Sequence, residues 1–144
     1  MREFVEIGPE RFGELEALHR AYKAELGEDA PTQADMASLK AAVAAGRIRF
    51  FGYCENGTLA GCCSVCVAYS TFNYSAAGVF EDFYILPEYR RRGIARALAA
   101  FAYEKCGVNS LTVGSAECDA EMYRAIGFSV PLGKMLAYAP GESG

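Results

Sequence analysis

The chain has 144 residues, enough for one domain whose core needs neither disulfides nor a metal. Apolar residues make up 52% and charged residues 22%, with no low-complexity tract, which excludes a disordered or fibrous chain. Fourteen Lys and Arg against eighteen Asp and Glu give a net charge of −4, and nucleic acid, which is gripped by excess cations, is not the expected partner.

Residues 1–8 have no basic stretch leading into an apolar run, so no signal peptide is read there. Phe4, Val5 and Ile7 predict a short first strand. Gly8-Pro9 opens a helix in which Phe12, Leu15, Leu18, Tyr22 and Leu26 recur at helical spacing, and Gly27 stops it. His19 lies on this helix and is read as a surface or core residue. The acidic connection from Glu25 to Asp29, with Glu28 inside it, is read as a solvated loop, attraction of a cationic substrate being the alternative. Thr32 is the expected N-cap of a second helix, with Met36, Leu39 and Val43 on one face and Gly46 as its stop.

Two β-type runs follow, residues 48–54 and 59–69, joined through Asn56-Gly57, a hairpin signal. No charge occurs from Asn56 to Phe80, but the dense apolar part spans only residues 59–69. That falls short of the roughly 20 residues a bilayer crossing needs and suits a buried strand, so no membrane partner is expected. A third run, residues 78–86, ends at Pro87. Residues 91–106 predict a helix, 111–113 a strand and 117–125 another helix, broken at Gly127-Phe128; 134–138 alternate toward a last strand. The order β-α-α-β-β-β-α-β-α-β describes an α/β domain over residues 1–144, with a mixed sheet and helices on both faces. The last strand, if exposed, could pair across a homodimer.

Six cysteines (54, 62, 63, 66, 106 and 118) and one histidine show no metal-ligand spacing, and no metal is expected. They read as reduced thiols acting as small hydrophobes, which fits a reducing, cytoplasmic setting. A cysteine nucleophile at Cys118 is the weaker alternative, since no histidine is near it in sequence.

The chemistry is concentrated between Gly78 and Leu98: a strand, a turn and the start of a helix. The first amides of a helix lack internal partners and sit at the positive end of its dipole, which makes them an anion site. Gly93 and Ala95 carry little bulk there, and Arg90, Arg91, Arg92 and Arg96 concentrate positive charge in a chain that is negative overall. That contrast points to a phosphorylated ligand.

Arg90-x-x-Gly93-x-Ala95 after a strand ending at Pro87, followed by Tyr123-Arg-Ala-Ile-Gly127-Phe128, resembles the signatures of the GNAT (Gcn5-related) N-acetyltransferases. The resemblance covers residues 47–139, and the Phe80-Glu-Asp-Phe-Tyr-Ile-Leu-Pro87 stretch is similar to members acting on polyamines and other small amines. Three positions differ from the usual pattern: Arg91 stands where Gly is common, Ala95 where Gly is more frequent, and Ala116 where Asn is often found.

The resemblance implies a mostly antiparallel central sheet of six or seven strands with about four helices, and acetyl-CoA as co-substrate. It assigns the pyrophosphate to the turn of Arg90, Arg91, Arg92, Gly93, Ile94, Ala95 and Arg96, and the pantetheine arm to main-chain groups of Phe83, Tyr84 and Ile85. Tyr123 is expected near the cofactor sulfur as acid, with Glu81, or alternatively Asp82, as base toward a primary amine of a small molecule. Neighbours on a strand point to opposite faces, so only one of the two carboxylates is expected to meet that amine. A non-catalytic acyl-CoA sensor and a peptide N-terminal acetyltransferase are the other readings.

Overall fold

The computed structural model describes residues 1–141. One five-stranded sheet runs in the order β1 (Arg2–Ile7), β2 (Arg49–Glu55), β3 (Thr58–Ser70), β4 (Ser75–Ile85), β5 (Ser110–Val113). The first four strands pair antiparallel, and β5 joins β4 in parallel after a helical crossover. Glu55 pairs with Thr58, so the β2–β3 loop is Asn56-Gly57 alone. Both residues are left-handed, at φ 54° and 81°, the backbone a two-residue hairpin requires and the reason Asn-Gly stands there.

The helices are α1 (Phe12–Glu25), α2 (Gln33–Ala44), α3 (Ile94–Cys106) and α4 (Ala120–Ala125). Thr32 caps α2 reciprocally with Asp35, each side chain accepting the other's amide, which fixes where that helix starts. Strand alternation divides the core between the two faces. Phe51, Tyr53, Cys63, Val65 and Phe80 pack against Leu98, Ala99 and Ala102 of α3. Phe50, Cys54, Leu59, Cys62 and Tyr84 pack against α1 and α2 through Leu15, Leu18 and Met36.

Five strands replace the expected six or seven. The missing element is the last one. Residues 129–141 form no strand and are exposed throughout, with Gly133 at φ 102° and Pro131 and Pro140 unable to donate to a ladder. Alternating composition at 134–138 does not by itself make a strand. The exposed final strand that could have paired across a homodimer is therefore absent from residues 134–138. Elsewhere the boundaries shift. Helix α3 begins at Ile94 rather than near 91, because Arg91 and Gly93 are left-handed, and β4 begins three residues before Gly78. No helix of the described residues is long and apolar enough to cross a membrane.

Candidate active site

β5 ends at Val113, opposite Phe80, so β4 continues from Glu81 to Ile85 with no strand of the described residues on that edge. The Leu86 amide donates to Ala60 on β3 at 2.9 Å. In a trans peptide the carbonyl points opposite to the amide, so the Ile85 carbonyl faces the open edge, and by alternation so do the Ile85 N–H and both main-chain groups of Phe83. Tyr84 turns its main chain to β3 and its ring into the α1 side of the core.

At the head of this edge the register slips. Val65 pairs with Phe80 and Cys63 with Phe83, so Ser64 alone stands opposite both Glu81 and Asp82. This is a β-bulge, a device that re-aims side chains. Phe80 and Phe83, three residues apart, consequently lie on the same α3 side, their rings 6.1 Å apart. The two carboxylates between them are turned to the other side together. The expectation that they point to opposite faces is corrected by the bulge.

Their surroundings differ. Asp82 is held by Ser64, whose hydroxyl donates to Oδ2 at 2.9 Å and accepts the Asp82 amide at 2.9 Å. The Asp82 charge bears on His19 and Tyr22 of α1 and on Tyr123 of α4. Glu81 is exposed and lines an open cleft of about 360 Å³ with Val79, Phe80, Gly114, Ser115 and Met135.

Tyr123 sits in the last turns of α4. Gly127, at φ 123°, ends that helix; the Phe128 amide returns to the Tyr123 carbonyl at 2.9 Å, and the Gly127 amide to that of Arg124. This glycine-terminated closure explains the Tyr-x-x-x-Gly-Phe spacing, because it lays the Phe128 ring 5.0 Å from that of Phe80 and 6.0 Å from that of Tyr123. Burial, then the charges of Asp119 and Asp82, raise the Tyr123 hydroxyl pKa. The same causes, burial first and Asp82 next, push Tyr22 up to about 12. Burial lowers that of half-buried His19, favouring its neutral form.

The basic turn is built for a different ligand. The first helical bond of α3 runs from the Ala97 amide to the Gly93 carbonyl, so among the described residues the amides of Arg91 to Arg96 have no main-chain acceptor. Gly93, at φ 75°, would place an added Cβ in open space, and no side chain caps the helix. An anion can approach these amides closely. Free amides followed by an unpaired strand edge fit a diphosphate carrying an extended arm, the shape of acetyl-CoA.

Most of the arginines are otherwise engaged. Arg90 bonds Ile85 and Glu25; Arg92 donates to the Glu88 carbonyl at 3.0 Å and lies over the Tyr89 ring; Arg96 donates to the Ala125 carbonyl at 3.0 Å, tying α3 to α4. Arg91, exposed and left-handed at φ 65°, has no ion-pair partner among the described residues. Of the acidic connection, Glu25 pairs with Arg90 and Glu28 with Lys23.

Sequence reasoning missed Ser64 and Tyr22. Ser64 is the one hydroxyl inside the apolar run of residues 59–67, a signal that something polar must meet it. Cys54, Cys62 and Cys63 are buried as expected, burial pushing the Cys62 thiol up to about 12, while Cys118 is exposed.

Solved structures of acetyltransferases share the fold. An aminoglycoside acetyltransferase from an uncultured soil metagenomic sample, in complex with sisomicin, aligns over 98% of this chain and 97% of its own, at 13% identity and TM-score 0.82. A ribosomal-protein-alanine N-acetyltransferase from Brucella melitensis biovar Abortus 2308 aligns over 96% and 98%, at 16% identity and TM-score 0.75. A predicted acetyltransferase from Clostridium acetobutylicum, solved with acetyl-CoA, aligns over 96% of each chain at 12% identity and TM-score 0.74. No curated protein matches the sequence. The acetyltransferase (GNAT) domain profile matches residues 46–130, a stretch that takes in β2, the Gly93 turn and Phe128, and the chain belongs to that family of acetyl-CoA-dependent N-acetyltransferases.

Proposed function

We propose that the chain acetylates a primary amine of a small molecule by direct attack, with no covalent enzyme intermediate. Bound acetyl-CoA supplies the acetyl group as a thioester. The turn of Arg91 to Arg96 holds its diphosphate through main-chain amides, and Phe83 and Ile85 pair with its pantetheine arm along the open β4 edge. The observation that carries the reading is the bulge opposite Ser64, which turns Glu81 and Asp82 toward one face at the head of that edge.

A primary amine with a pKa near 10.4 is protonated at neutral pH and must lose a proton before it attacks. Sequence alone favours Glu81 as the base. What supports Asp82 instead is its anchoring by Ser64 and its electrostatic reach to Tyr123. Glu81, exposed beside it, then draws the cationic acceptor in. The Ile85 N–H faces the open edge, where it can donate to the oxygen on which negative charge develops. Tyr123, its proton held more firmly than in water, gives that proton to the departing thiolate.

The acceptor class is supported by charge. Asp82 and Glu28 act on Tyr22, and Asp119 and Asp82 on Tyr123, so carboxylates surround the two tyrosines. A small amine with more than one positive charge suits that field. Enzymes named for aminoglycosides among the structural neighbours agree with this class.

Isothermal titration with acetyl-CoA, followed by an acceptor screen reading free CoA release, tests the proposal. Diamines, polyamines, aminoglycosides and short peptides make up the panel. Turnover with cationic small amines is expected. Acetyl-CoA binding without turnover on any amine would leave a sensor, and turnover on peptides alone would move the acceptor to a protein N-terminus.

A further inference from the structure

Arg90 stands first in the cofactor turn, yet two of the three nitrogens of its guanidinium are engaged by the protein. Nε donates to the Ile85 carbonyl at 2.8 Å, and one terminal nitrogen lies 2.8 and 2.9 Å from the two carboxylate oxygens of Glu25, near the end of α1. The group also lies over the Tyr84 ring, 5.5 Å from its centre, and that ring is 5.9 Å from the ring of Tyr22 on α1. The Ile85 carbonyl is the last acceptor on the unpaired edge of β4. Arg90 therefore closes the end of that edge and fastens it to the helix that carries His19 and Tyr22 toward Asp82.

We propose that Arg90 is a positioning residue, braced by Glu25, which sets the β4 edge for the pantetheine arm and does not itself bind the diphosphate. The inference rests on the reading that this edge receives the arm. A carboxylate on one terminal nitrogen and a carbonyl on Nε hold the guanidinium from two sides, so the Glu25 contact steadies the group that donates to Ile85. Glu25, at the end of α1 and outside the turn, then governs cofactor affinity through Arg90.

The test uses full-length protein with Glu25→Gln, Arg90→Gln and the double variant. Acetyl-CoA affinity is read by titration calorimetry, and affinity for ADP, a diphosphate without the arm, by competition. Glu25 is exposed, so Glu25→Gln folds whatever happens to Arg90→Gln, and melting curves confirm it. Expected are a loss of about threefold in acetyl-CoA affinity for Glu25→Gln and about tenfold for Arg90→Gln. The double variant is no worse than Arg90→Gln, since the two residues act as one unit. ADP affinity stays within about twofold throughout.

Acetyl-CoA affinity unchanged in Glu25→Gln, with Arg90→Gln weakening ADP and acetyl-CoA alike, would make Arg90 a direct diphosphate ligand and overturn the proposal. Failure of the unaltered protein to bind acetyl-CoA would instead remove the functional reading, and this inference with it.

Discussion

The Ser64 hydroxyl grips Asp82 at two points, accepting its amide and donating to its carboxylate, each at 2.9 Å. Ser64 is wholly buried, and the bulge removes the ladder partner that the Asp82 amide would otherwise have. Ser64→Ala strands that amide and takes a donor from the carboxylate. We expect a loss of about 1–3 kcal/mol in urea-unfolding free energy. We also expect kcat to fall while acetyl-CoA affinity holds, because the damage lies beside the base and away from the Gly93 turn. Full activity in a well-folded Ser64→Ala would show that the clamp does not orient Asp82.

The two carboxylates separate by substitution. Removing a general base costs typically about 10²–10⁴ in rate, whereas removing a charge that only attracts the acceptor costs binding. Asp82→Asn is therefore expected to lower kcat by about 100-fold, and Glu81→Gln mainly to raise acceptor KM. The reverse pattern in steady-state kinetics would give the proton transfer to Glu81.

For Tyr123→Phe, kcat should drop by about 10- to 100-fold with acetyl-CoA affinity unchanged within about twofold. Burial, Asp119 and Asp82 all raise the hydroxyl pKa above its ordinary value of 10, so it keeps its proton further into the alkaline range. An acid with a raised pKa loses function only as pH climbs through that raised value. The kcat profile should thus stay flat from neutrality to about pH 10 if Tyr123 is the acid. A basic limb near pH 8 that disappears in Tyr123→Phe would contradict this account.

Much of the scaffold is legible locally because local chemistry forces it. Asn56-Gly57 has to be a hairpin, Thr32 with Asp35 has to cap a helix, and Gly127 has to end one. The β4 bulge is different. Phe80-Glu-Asp-Phe83 breaks strict alternation, with two apolar residues three apart, but where the slip falls is set by pairing with β3, a strand some twenty residues away, with Ser64 opposite it. The destination of the arginines is equally non-local, since Glu25 and Ala125 reach them only through the fold. Residues 134–138 show the opposite failure: a strand-like pattern that pairs with no strand.

Gly93 separates stability from binding. An alanine there meets no atom within 4 Å, so the folded state bears only the cost of a left-handed φ of 75°, about 1–2 kcal/mol. The added methyl would take up open space beside a turn whose amides have no main-chain acceptor. Gly93→Ala should lower the melting temperature by a few degrees and weaken acetyl-CoA by about tenfold or more. Equal affinity in the variant would mean that the anion is held elsewhere.

Acid should weaken the fold in two stages. Burial disfavours the charged form of His19, more than offsetting the nearby Asp82 charge, so its folded pKa lies below the ordinary 6.5. As pH falls below about 6.5 the unfolded chain takes up a proton that the folded chain refuses, and stability declines until the folded value is passed. Glu6 follows at lower pH. Its hydrogen bonds to Arg49, at 2.9 Å each, join β1 to β2 and hold its carboxyl below the ordinary 4.5. Stability from that pair is present above 4.5 and is lost as pH drops through the depressed folded value. Urea-unfolding free energies from pH 8 to 3 should show both declines. His19→Gln should abolish the upper stage and leave the lower intact; an upper stage surviving in that variant would place its proton on another group.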